Sequence, residues 1–78
     1  MPRFRITITD ADGTCEGLER HSGQAAARLS ALRSAVSIML ERKVGPCEYS
    51  CSCEVRDEHS GTGERFEIAL QLHSLTRI

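Results

Sequence analysis

Four cysteines, Cys15, Cys47, Cys51 and Cys53, have the widest chemical range of any side chains in this 78-residue chain. Thiolates hold zinc when they converge on a tetrahedron, and a suitably placed pair can be oxidised to a disulfide. The spacing Cys47-x3-Cys51-x-Cys53 lacks the two matched cysteine pairs that a structural zinc site draws from a turn. Instead Cys47, Tyr49, Cys51, Cys53 and Val55 alternate with Glu48, Ser50, Ser52, Glu54 and Arg56, which is the period of a strand with its sulfur on one face. In that register cysteine fills space as a small apolar residue. Cys51 and Cys53 would stand roughly 6.5 Å apart on one strand with diverging side chains, so a bridge from Cys15 across strands is the more feasible disulfide. Core filling is the expected role, and a Cys-based zinc or redox module is the alternative.

The run Asp57-Glu58-His59-Ser60-Gly61-Thr62-Gly63-Glu64 sets an acid, a histidine and a serine side by side. Catalytic Ser, His and Asp must meet through space with one group orienting the next, which neighbours in a hairpin loop do poorly. The run also lacks the Gly-Lys-Ser/Thr and following helix of a phosphate loop. It reads as a solvated loop, with Asp57, Glu58 and His59 as its candidate partner contacts. Asp10-x-Asp12-Gly13 starts like a calcium loop but has no closing glutamate, so it reads as a turn. His21 and His73 fall in separate segments with no shared site.

The elements that must position these residues follow from periodicity. Arg3 to Thr9 alternates, with Phe4, Ile6 and Ile8 on one side, and Asp12-Gly13 is a hairpin signal. Thr14 to Arg20 is the returning strand, weak in its alternation and expected to bulge at Gly17. Cys47 to Arg56 and Arg65 to His73 are further strands, the last with Phe66, Ile68, Leu70 and Leu72 inward. Between the strand pairs, Ser22 to Pro46 is a single helix. Ser22 is its expected cap and Gly45-Pro46 its stop.

That helix has two apolar stripes. Leu29, Leu32, Val36, Met39 and Leu40, with Ala25, form the expected core stripe. Ala27, Ala31, Ser34 and Ile38 form a second one, small and uncharged, which would let another helix approach closely. A domain covered on one side needs only one stripe, so the second points to a partner.

Net charge is −1, which supplies no field to hold nucleic acid or an anionic membrane. The charge is uneven: residues 23–44 carry +3 and residues 45–78 carry −3. Sheet surfaces that read nucleic acid use exposed aromatics, whereas Phe4, Tyr49 and Phe66 all fall on the inward register. A nucleic-acid-binding regulator is therefore the second alternative. No apolar run approaches the roughly 20 residues of a membrane span, and no hydrophobic leader follows the N-terminus, so a complete cytoplasmic product is expected.

These readings give one domain over residues 1–78, of α+β class. It is a two-layer ββαββ sandwich with one long helix on a mainly antiparallel four-stranded sheet. The element order resembles the protein G type of β-grasp. Size, layout and absence of enzyme motifs resemble phage-encoded inhibitors such as anti-CRISPR proteins, and antitoxin-like regulators. The expected function is a non-enzymatic protein–protein interaction module, homodimeric, without cofactor or metal. Its contacts are expected at Ala27, Ala31, Ser34 and Ile38 on the helix and at Asp57, Glu58 and His59 in the loop.

Overall fold

A computed structural model describes residues 1–42, 47–73, 75 and 76. The elements are β1 (Arg3–Asp10), β2 (Gly13–Arg20), α1 (Gln24–Arg42), β3 (Cys47–Asp57) and β4 (Gly63–Leu72). The fold is α+β, with one helix packed on a four-stranded sheet of order β2-β1-β3-β4. Every strand pair is antiparallel. The likeness to the β-grasp layout therefore stops at element order, because β1 lies against β3 and no parallel pair forms at the centre. The expected stop at Gly45-Pro46 lies outside the described residues.

Local chemistry explains each joint. Asp10 closes the first hairpin by accepting the amides of Asp12 and Gly13 at 2.9 and 3.1 Å, and Gly13 takes φ 146°, where glycine is favoured. The expected bulge at Gly17 does not form, since β2 pairs with β1 without interruption from Gly13 to Arg20. The helix starts one residue later than Ser22 suggests. The Gly23 carbonyl accepts the Ala27 amide at 3.1 Å, which makes Gly23 the cap, a position that glycine tolerates well.

The core corrects the reading of the helix. Ala27, Ala31 and Ala35 are 0% exposed and Met39 is 2% exposed, packed against Phe4, Ile6, Ile8, Cys51, Cys53 and Val55. Of the stripe expected inside, only Met39 is buried. Leu29 is 47% and Leu40 61% exposed, Leu32 and Val36 are half-buried, and Ala25 is exposed. The physical reason is complementary volume. The strands bring large side chains to the interface, so the helix backbone closes the gap through methyl groups. Polar bonds on both flanks then hold this rotation. Arg28 and Gln24 bond Glu64 on β4 at 2.7 and 3.4 Å, and Ser30 donates to Glu19 on β2 at 2.6 Å.

Candidate functional site

The inversion of α1 creates the candidate site. Arg28, Leu32, Val36 and Leu40 follow one another at four-residue steps, so they share a row along the helix. The bond from Arg28 to Glu64 sets the start of this row toward β4, and the row turns about 40° per step, so that Leu40 ends on the outer face of the helix. Leu29 extends the row outward, and Leu32, Arg33, Val36 and Ser37 line a shallow, mainly apolar depression on it. Below lies the helix side of β4, where Phe66, Ile68 and Leu70 are half-buried. Since β4 is an edge strand, an apolar shelf opens sideways between helix and sheet edge.

The residues expected to meet a partner lie elsewhere. Ala27 and Ala31 are sealed under the chain's own sheet contact, a correction that follows from the volume argument above. Ile38 is half-buried against the core, beside Ile8 and Cys15 at the β1–β2 end. Ser34 is exposed. In the loop, the Asp57 carboxylate accepts the amides of His59 and Ser60 at 2.8 and 3.2 Å, and Glu58 accepts from Arg5 at 2.7 Å. Those two acids therefore shape the turn and tie it to β1, while His59 is exposed. The loop's bonds among the described residues run to β1 and within the turn, so loop and helix residues do not form one surface.

The open sheet face is a lattice of opposite charges. Arg5 bonds Glu16 and Glu58, Arg56 bonds Glu54, and Arg65 approaches Glu54 at 3.6 Å. Hydrogen bonds from Arg5 first to Glu58 and then to Glu16 raise the guanidinium pKa. Bonds from Arg28 and then Gln24 lower the pKa of Glu64, while those from Ser30 and then His21 lower that of Glu19. These exposed pairs add little stability each, but they set helix rotation and sheet register.

Among the described residues, no three His, Cys, Asp or Glu side chains converge as metal ligands. Cys15, Cys51 and Cys53 are free thiols. The cross-strand bridge is ruled out by register, because Ile8 pairs with Cys15 on one side and Cys53 on the other. Two strand spacings, about 9.6 Å, then separate the two sulfur-bearing residues, beyond the roughly 7 Å limit of a disulfide. Burial pushes the Cys53 thiol up to about 11, and burial likewise raises Cys51. A raised thiol pKa favours the folded state below the ordinary value of 9.0, and that contribution is lost as pH climbs through about 11. At pH 8 a thiol reagent is expected to label exposed Cys15 at once. Cys51 and Cys53 should react about 100-fold more slowly, through opening, and at full speed in denaturant. Mass mapping of the labelled peptides checks this, and equal native rates would refute the core role of the β3 thiols.

Among the described residues no helix is long and apolar enough to cross a membrane. Comparison with protein-family models, with curated proteins and with solved structures returns no match.

Proposed function

We propose that this protein is a non-enzymatic protein–protein interaction module, working in the cytoplasm, whose contact surface is the aliphatic flank of α1. One observation carries the reading: the helix buries its alanines and leaves Leu29 and Leu40 in water. Exposing large aliphatics in a row while small ones occupy the core is costly for a chain that stays alone, and such patches mark contact surfaces. The module acts by occupying a partner's surface. An inhibitor or antitoxin-like regulator is the biological form of this reading.

The test is cross-linking inside expressing cells, comparing the natural chain with a Leu29→Ser/Leu40→Ser variant. The natural chain is expected in defined cross-linked species, homomeric or mixed. The variant should lose them while keeping its circular dichroism. A natural chain recovered only as an uncross-linked monomer, or species unchanged by the variant, would defeat the proposal.

A further inference from the structure

We infer that the occupant of the α1–β4 shelf is a second copy of this chain, docked about a two-fold axis so that β4 pairs antiparallel with its counterpart. The inference rests on the functional reading above and specifies its partner. It joins the two sheets edge to edge and lays both helices side by side on one face.

The two sheet edges differ in the way this requires. On the helix side β2 offers Gly17 and the charged Glu19, an inward-pointing charge that blunts an edge. On the same side β4 begins with Glu64, held by Arg28 and Gln24, and continues with Phe66, Ile68 and Leu70, with no proline and uninterrupted pairing to β3 along its length. The central run from Phe66 to Leu70 carries a single charge, Glu67, on the open face.

Strand and helix also agree on where the axis passes. Symmetric pairing of the Phe66–Leu70 run puts the axis at Ile68, sets Phe66 opposite the partner's Leu70, and brings no like charges face to face. Gln24 and Arg28 both reach Glu64, so the helix near residue 26 stands above Glu64. Arg42 ends α1 five residues before Cys47, which pairs with Leu72, so α1 runs in the direction of β4. From Glu64 to Ile68 the strand advances about 13 Å, which the helix covers in about nine residues, arriving near residue 35. That is the centre of the set Leu29, Leu32, Val36 and Leu40. An axis chosen from the strand alone therefore bisects the aliphatic set of the helix.

The width of the gap explains the residue sizes. α1 sits over β3, flanked evenly by β1 and β4. Across the joined sheet β3 and its copy lie three strand spacings apart, about 14 Å, whereas packed helices approach to about 8–10 Å. Alanines facing that gap would leave it open. Leu32 and Val36 face it from both sides above the half-buried β4 row, and Leu29 and Leu40 border it on the outer face of the helix.

Sedimentation and hydrogen exchange on the full chain test this. At about 100 μM the protein should sediment at twice its 8.6 kDa mass. Leu29→Arg/Leu40→Arg, at exposed positions, should raise the dissociation constant about 100-fold or more while the far-ultraviolet circular dichroism stays native. In the dimer every second β4 amide, the set facing away from β3, should exchange slowly and become fast in the variant. The outward amides of β2 should be fast in both. A natively folded monomer at that concentration, a dimer indifferent to the variant, or protection on β2 instead of β4 would each overturn the inference. A monomer that still forms the cellular species lost on Leu29→Ser/Leu40→Ser would overturn the second copy alone and leave the flank as a contact surface for another protein.

Discussion

Ala31→Leu is expected to destabilise the folded chain by about 3 kcal/mol, the upper end of the cost of overpacking a filled core. Ala31 is 0% exposed and faces a sheet surface built from Phe4, Ile6, Ile8 and Val55. The added carbons have nowhere to go unless the helix lifts. Lifting it stretches the bonds from Arg28 to Glu64 and from Ser30 to Glu19, which anchor both flanks. For a domain of this size the melting temperature should fall by on the order of 15 °C. Leu29→Ala, at a position 47% exposed, should cost the single chain under about 1 kcal/mol. Both are measured by denaturant unfolding at concentrations where self-association does not contribute. If hydrophobic size alone set the inward face, the order would invert: Leu29→Ala would leave a cavity and Ala31→Leu would be tolerated. Equal losses, or the inverted order, would show that α1 packs through its leucines.

This pair of positions also marks where the sequence stops being legible. Strand alternation reads directly. Phe4, Ile6 and Ile8 are buried while Arg3 is exposed, and Cys51, Cys53 and Val55 are buried while Ser52 and Arg56 are exposed. A strand has only two faces, so one apolar row settles its orientation. A helix can turn about its axis, and here two rows compete. Ranking them by hydrophobicity selects Leu29, Leu32, Val36 and Leu40, but packing selects by fit. The discriminating signal was present as Ala27, Ala31 and Ala35 at four-residue steps, flanked by Arg28 and Ser30, which find partners on opposite edges of the sheet. Recognising it required knowing that Glu64 and Glu19 stand on the helix side, and that depends on strand register. The loop acids Asp57 and Glu58 were legible as a turn, but their bonds to the turn's own amides and to Arg5 are tertiary facts. Likewise the separation of Cys15 from Cys53 depends on β1 lying between their strands, a matter of strand order that spacing along the chain does not encode.

Gly63→Ala is expected to be as damaging as Ala31→Leu, for a different reason. Gly63 opens β4 opposite Arg56, immediately after the Asp57 amide meets the Thr62 carbonyl at 2.7 Å. A Cβ there would overlap the Val55 carbonyl oxygen and lie 2.8 Å from the Arg56 Cα. Both neighbours are backbone atoms at the closing end of the β3–β4 ladder, so no rotamer change relieves the overlap. The strand start must swing away from β3, at a cost of about 3 kcal/mol and a melting temperature lower by on the order of 15 °C. The damage reaches the candidate surface, because the next residue, Glu64, holds Arg28 and Gln24 and so sets how far α1 turns its leucines outward. Gly17→Ala is the control. Its Cβ would meet nothing within 4 Å, so the loss of unfolded-chain freedom should leave it neutral or stabilised by about 0.5 kcal/mol. Thermal unfolding by circular dichroism separates the two. A Gly63→Ala protein that melts with the natural chain would mean that β4 does not close on β3 at its start. The alignment of β4 with the helix row, on which the shelf depends, would then lose its anchor.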